Sequence, residues 1–110
     1  MEIKETKEGT AAVLHIAGRL DSNTSQDFEE KLFDTIQNRT LRIVLNFEAL
    51  AYISSAGLRV ILKAAKDLKR RDGRLILCAM QDYVREVFEI SGFDTFLSIV
   101  PTVEDAISAL

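Results

Sequence analysis

The sequence predicts a small α/β fold, a mixed and mostly parallel sheet of about four to five strands covered by about four helices. Apolar segments with strand character alternate with amphipathic helical segments, which is the pattern of parallel strands joined by right-handed crossovers. At the start of the chain, two strand-like segments are separated only by the turn residues Glu8-Gly9-Thr10. That short connection indicates an antiparallel hairpin added to the parallel strands.

The size and charge of the chain narrow the possible functions. With 110 residues the chain has the usual length of one domain, and we expect residues 1–110 to form one. Lys and Arg number 14 against 17 Asp and Glu, a net charge of −3, whereas broad binding to nucleic acid needs the opposite sign. No apolar stretch approaches the ~18 residues of a membrane span, and the charged start is unlike a signal peptide. We therefore expect a cytoplasmic protein without direct nucleic-acid or membrane contact.

Hydrophobic periodicity defines the individual elements. In order, they are a hairpin arm at 3–7, a strand at 11–20, a helix at 24–38, a strand at 41–47, a helix at 58–71, a strand at 75–80, a short helix around 84–88, a strand at 96–100 and a helix opening at 101. The residues expected to cap or end the helices are Asn23 or Thr24, Gly73, Asp82, Gly92 and Thr102.

Two loops follow predicted parallel strands, at the sheet edge where such folds usually place functional residues. The loop 19–25 contains Asp21, which is either a loop cap or a functional carboxylate. The loop 48–57 ends in Ser54, Ser55 and Gly57, just before the helix with the clearest apolar face. Local pattern favours a capping role for the serines, but the same helix N-terminus would accommodate a phosphate on either hydroxyl. Gly57 would let the backbone of another protein approach closely.

Residues suited to catalysis or metal binding are scarce. The chain has one histidine and one cysteine; His15 is predicted mid-strand in a structural role, and Cys78 in an apolar strand as inert core. The sequence contains no G-x-S-x-G elbow, no phosphate-binding P-loop and no G-x-G-x-x-G motif. We expect no enzyme activity, no metal and no cofactor, and a small α/β enzyme or nucleotide-binding protein is the less favoured alternative. The cationic run 66–71 is interpreted as a solvated helix end.

Several segments are more specific than these general patterns. They are Gly18-Arg19-Leu20-Asp21, Leu45-Asn46-Phe47, Ile53-Ser54-Ser55-Ala56-Gly57-Leu58 and Gly73 before a buried strand. In this order the chain resembles the STAS domain, and within it the bacterial anti-sigma factor antagonists (anti-anti-sigma factors), over essentially its whole length.

The resemblance implies a partner-switching protein. Such proteins bind an anti-sigma factor that is also a serine kinase, and thereby free a sigma factor for transcription. The kinase phosphorylates a serine, which abolishes tight binding, and a PP2C-type phosphatase restores the active form. That serine corresponds to Ser55, with Ser54 as the alternative acceptor. The partner-binding residues that the resemblance implies are Asp21, Ser22, Asn23, Ser54, Ala56, Gly57 and Leu58.

The chain departs from the family pattern at two positions. Ser54 stands where the family usually has Asp, and Asn46 stands where a strand-end acid is usual. Both departures remove negative charge from the expected site, so a phosphate there would dominate the local potential. They also keep open an alternative with the same fold: a STAS interaction module that is not phosphorylated, in a stress-signalling or transport-associated assembly.

Overall fold

The computed structural model describes all residues 1–110 and contains six strands and four helices. The strands are β1 (Glu2–Glu8), β2 (Ala11–Leu20), β3 (Arg42–Asn46), β4 (Leu50–Ile53), β5 (Arg74–Cys78) and β6 (Ser98–Val100). The helices are α1 (Ser25–Gln37), α2 (Ser55–Arg70), α3 (Asp82–Ser91) and α4 (Val103–Ala109), and a 3-10 turn at Phe93–Thr95 precedes β6. None of the helices is long and apolar enough to span a bilayer.

The strands form one mixed sheet in the order β1-β2-β3-β5-β6. The hairpin β1–β2 is antiparallel, and the pairs β2–β3, β3–β5 and β5–β6 are parallel. Each parallel pair is joined by a connection that contains a helix, as crossovers in α/β folds require. The predicted fold class, a small and mostly parallel sheet covered by helices, is confirmed.

The strand β4 was not predicted, because its four residues lie inside the segment that the sequence assigned to a loop. It pairs in parallel with the last residues of β2, after β3 has paired with the first part of the same strand. The register shifts between Gly18 and Arg19, and Gly18 has a φ of +98°, a conformation that suits glycine. The irregularity bends the end of β2 and redirects the loop that follows it.

Alternation along the strands divides the core between the two faces of the sheet. Leu14 and Ile16 point to a large cluster of 20 buried residues that α1, α2 and α3 cover. Val13 and Val44 point to a smaller cluster on the other face, which Ala106 of α4 covers. Because both faces are covered, β3 and β5 are apolar along most of their length rather than alternating.

Two predicted helix boundaries need correction. The left-handed residue after α2 is Asp72, with φ +59°, and not Gly73. Gly73 is required by a close approach instead, since a Cβ there would overlap the Leu41 carbonyl oxygen. Asp82 is the first residue of α3 and makes no cap bond, because the N-cap position belongs to Gln81. Two other predictions are confirmed: Gly92 ends α3 in the left-handed conformation, and Thr102 caps α4 by accepting a bond from the Asp105 N–H.

Cys78 is buried, as predicted, and its environment suppresses thiolate formation. Desolvation raises the pKa of the Cys78 thiol from 9.0 to about 11, with further contributions from the negative charges of Glu104 and Glu48. Since the thiolate is the reactive form, the native thiol at pH 8 should react about 100-fold more slowly than a free thiol. We expect stoichiometric labelling by a thiol reagent only after denaturation. Fast labelling of the folded protein would contradict this placement of Cys78.

Candidate functional site

The two loops that the sequence singled out lie side by side. Pairing of β4 with β2 sets Ile53 opposite Leu20, and the Ser54 N–H donates to the Leu20 carbonyl oxygen at 2.9 Å. The loop after β2 therefore begins at the point where α2 begins. We call the residues 21–25 together with the first turn of α2, residues 54–59, the switch site.

The two serines of the switch site have different environments. Ser54 is the N-cap of α2, half-buried, and its hydroxyl oxygen accepts a long 3.5 Å bond from the Gly57 N–H. Ser55 is the first residue of the helix and is exposed. The predicted capping role thus belongs to Ser54, which leaves the Ser55 hydroxyl without a structural task.

Glycine is required at position 57 for a different structural reason from the one predicted. It is buried, and a Cβ at this position would lie 2.7 Å from Cγ of Leu20 and 3.1 Å from Cγ1 of Ile53. The absent side chain therefore makes room for the chain's own β2 and β4 rather than for a partner backbone. Leu58 is also buried, at 5% exposure. These two residues shape the switch site from inside, and the surface is formed by Ser22, Asn23, Ser55 and, in part, Asp21 and Ala56.

Asp21 organises the first loop. Its Oδ1 accepts bonds from the N–H groups of Asn23 at 2.9 Å and Thr24 at 3.2 Å. Thr24 occupies the N-cap position of α1, as predicted, but its hydroxyl accepts from the Asp21 N–H and donates to the Arg19 carbonyl. Asp21 is thus a loop cap. Its other oxygen, Oδ2, faces the Arg19 guanidinium at 3.7 Å.

The capping role of Asp21 predicts an acid response of this loop. The backbone bond from Asn23, with smaller contributions from Thr24 and Arg19, lowers the pKa of Asp21 below 3.8. The stabilisation is therefore present above the unfolded pKa and is lost as pH falls through the folded one. NMR titration of the Asp21 carboxyl should give a midpoint below that of an ordinary Asp, with the Asn23 and Thr24 amides responding at the same pH. A midpoint at or above 3.8 would rule out this capping.

Two cations lie at the switch site, and only Arg19 has an acidic partner there, Asp21. Arg19 stacks over the Tyr52 ring, with 4.2 Å from Cζ to the ring centroid. The first turn of α2 contains no acidic residue. The side chain of Arg59, one turn after Ser55, is exposed and has no carboxylate within ion-pair distance. A phosphate on Ser55 would meet the helix N-terminus and a cation at i+4, both of which favour negative charge.

Asn46 and His15 form a local structural pair beside the site. The Glu48 N–H donates to Oδ1 of Asn46, so the Asn46 amide nitrogen faces Nδ1 of His15 at 2.9 Å. His15 then donates its Nε2 proton to the Thr6 hydroxyl, at 3.0 Å. Every ring nitrogen has a partner, which agrees with the predicted structural role of His15. No group of three or more His, Cys, Asp or Glu side chains is placed to hold a metal ion.

The chain is similar to known proteins over nearly its whole length. The model of the STAS domain matches residues 2–106. The chain belongs to the STAS domain family. It is 45% identical over 86 residues to BtrV of Bordetella bronchiseptica, which is assigned as an anti-sigma factor antagonist, and the match covers 78% of this chain and 72% of BtrV.

Two further STAS proteins extend the comparison. The anti-sigma-B factor antagonist of Staphylococcus aureus is 27% identical over 99 residues, which cover 90% of this chain and 92% of that protein. The structure of the Bacillus cell fate determinant SpoIIAA in its phosphorylated form superposes with a TM-score of 0.75 at 25% identity, covering 98% of each chain. The resemblance inferred from the sequence is thereby confirmed at the level of the family.

Sequence reasoning missed two residues of the switch site. Arg59 was not singled out, because the predicted helix began at residue 58 and only the observed start at Ser55 places Arg59 one turn after that serine. Tyr52 could not be found, because its place under Arg19 depends on the pairing of β4 with β2.

Proposed function

We propose that this chain is an anti-sigma factor antagonist that binds its anti-sigma factor through the switch site. Two curated relatives have this role in their names. The switch site supports it because exposed polar residues of one loop, Ser22 and Asn23, stand beside the exposed start of a rigid helix. The chain then acts by binding a protein, which agrees with the absence of recognisable catalytic motifs.

We further propose that phosphorylation of Ser55 switches this binding off. The observation that favours Ser55 over Ser54 is the different environment of the two hydroxyls at the start of α2. Ser54 is half-buried and caps the helix, whereas Ser55 is exposed and its hydroxyl makes no hydrogen bond within the chain. A kinase must draw the acceptor hydroxyl into its own active site. For Ser55 this costs no cap, while for Ser54 it would break one worth about 1 kcal/mol.

The switch acts at the interface rather than on the fold. Phosphate adds about −1.5 to −2 charge, and within this chain it faces the N-terminus of α2 and Arg59, both of which favour it. The loss of binding free energy arises when a partner covers the phosphate. The charge must then be desolvated beside partner groups that fit a neutral hydroxyl and do not compensate it. We assign the kinase activity to the anti-sigma factor and the reverse step to a PP2C-type phosphatase.

Complex formation tests the proposed role. The anti-sigma factor from the same organism, purified with its sigma factor, should exchange the sigma factor for this chain in size-exclusion chromatography. Ala56→Arg, in the switch site, should weaken the complex at least about tenfold, and the matched Ala109→Arg at the exposed end of α4 should not. A chain that forms no complex, or that tolerates both substitutions equally, would exclude the switch site as the interface.

A further inference from the structure

The exposed side of α2 is strongly basic in a chain that is acidic overall. Five cations project from this helix over about three turns, while the whole chain has a net charge of −3. They are Arg59, Lys63, Lys66, Lys69 and Arg70. The spacing of Arg59, Lys63, Lys66 and Arg70 places them on one face of the helix. The positive potential is therefore concentrated along one line of the surface.

An apolar groove runs along the C-terminal half of this basic helix. We call it the Phe96 groove; it lies between α2 and the 3-10 turn that precedes β6 and is lined by Leu62, Ala65, Lys66, Lys69, Phe93, Phe96 and Leu97. The Phe96 ring forms one wall and is 78% exposed. Phe96 is continuous with the other apolar side chains of the groove, and a contiguous exposed apolar surface of this kind is typical of a site that another molecule covers.

The two lysines of the Phe96 groove are also without partners. Lys63 pairs with Glu29, and Arg70 pairs with Asp67. Lys66 and Lys69 have no carboxylate within 4.0 Å. Both cations that line the apolar groove are therefore unpaired.

We propose that the Phe96 groove docks an acidic segment of a partner protein, with an aliphatic or aromatic side chain in the groove and carboxylates on Lys66 and Lys69. The apolar wall favours an apolar side chain, and the two ammonium groups, both on α2, select for negative charge beside it. A nucleic-acid duplex would leave the apolar wall uncovered, and the net charge of −3 opposes nucleic-acid binding in general. The combination of an apolar wall with two unpaired lysines therefore fits an amphipathic acidic peptide better than a simple polyanion.

The Phe96 groove is separate from the switch site. Ser55 and Lys66 are eleven residues apart on the same helix, or about 16 Å at 1.5 Å per residue. A segment bound in the groove would therefore not cover Ser55, and binding there should not depend on phosphorylation. The chain would join two partners, with only the one at the switch site under control of the kinase.

Fluorescence anisotropy with a defined peptide tests this inference. The probe is a labelled 16-residue helix-forming peptide with Leu and Phe at i, i+4 and i+7 and Glu at the flanking positions. We expect saturable binding by the full chain that weakens with added salt. Phe96→Ala and the double variant Lys66→Glu/Lys69→Glu should each bind at least about tenfold more weakly. Arg85→Glu, an exposed charge reversal on α3, and Ser55→Asp should leave the affinity unchanged.

Several results would overturn the proposal that the Phe96 groove docks an acidic segment of a partner protein. Equal binding of a poly-Glu peptide of the same length would show that the apolar wall has no role, and equal binding by the Phe96→Ala variant would show the same. Self-association of the chain that Phe96→Ala abolishes would make a second copy the occupant. Sedimentation with phosphatidylglycerol vesicles, without peptide binding, would make an anionic membrane surface the occupant. Loss of peptide binding in Ser55→Asp would contradict the independence of the two sites.

Discussion

Ser55→Asp is expected to bind the anti-sigma factor at least about tenfold more weakly than the unmodified chain, and the chain phosphorylated on Ser55 about 100- to 1,000-fold more weakly. The larger loss corresponds to ~3–4 kcal/mol, which is typical when a charge is buried at an interface without a partner. Asp has about half the charge of phosphate and lacks its additional acceptor oxygens, so its effect should be smaller. Ser55→Ala should bind like the unmodified chain and resist switching.

The neighbouring serine provides a matched control. Ser54→Asp adds the same charge one residue earlier, at the N-cap, where Asp is as good a capping residue as Ser. It also introduces the residue that the resemblance to anti-sigma factor antagonists implies at this position, so we expect it to bind within about threefold of the unmodified chain. Thermal melts should show Ser55→Asp at least as stable as the unmodified chain, since a negative charge at the start of α2 is favourable. Isothermal titration calorimetry measures these affinities, and equal values for unmodified chain and Ser55→Asp would falsify the switch mechanism.

The second large effect concerns the packing that joins the two loops. Leu20 is fully buried and packs against the backbone of Gly57. Leu20→Ala should reduce the free energy of unfolding by about 2–5 kcal/mol through lost burial and a residual cavity. The Cβ that Gly57→Ala adds would overlap Cγ of Leu20, and this overlap should reduce the free energy of unfolding by about 1–3 kcal/mol. The higher helix propensity of alanine offsets ~1 kcal/mol of that loss.

The two substitutions should compensate each other. The methyl group that Gly57→Ala adds would occupy space that the shortened side chain at position 20 has vacated, so the double variant should be more stable than the sum of the single effects by at least about 1 kcal/mol. Val44→Ala is the control, since Val44 lies in the cluster on the other face of the sheet, and its effect should add to that of Gly57→Ala. Urea unfolding of the unmodified chain, the three single variants and the two double variants measures this coupling. Additivity of Leu20→Ala with Gly57→Ala would show that the contact does not determine the packing here.

Most of the sheet and all four helices could be predicted because their signals are local. The apolar face of α2, the turn at Gly9 and the Thr102 cap each depend on residues close together in the sequence. The strand β4 was missed because its four residues include two exposed ones, and its pairing is with β2, about 30 residues away. Short strands of this kind are decided by tertiary context rather than by periodicity.

In the candidate site, too, the features with a local sequence signal were predicted and those that depend on long-range contacts were not. The motif around Ser54, Ser55 and Gly57 pointed to the start of α2, and that placement is observed. The reason for Gly57 was wrong, because the contact with Leu20 is a long-range one that no local pattern contains. The different exposure of the two serines also depends on where the helix begins, and a single residue of uncertainty in that boundary exchanges their roles.

Phosphosite mapping tests the central claim most directly. The purified chain is incubated with its anti-sigma factor and ATP, digested, and analysed by mass spectrometry, with Ser55→Ala and Ser54→Ala treated in parallel. The switch mechanism predicts one phosphate, located on Ser55, that is absent from Ser55→Ala and retained in Ser54→Ala. A chain that binds the anti-sigma factor yet acquires no phosphate on either serine would contradict the mechanism and favour an interaction module that is not phosphorylated.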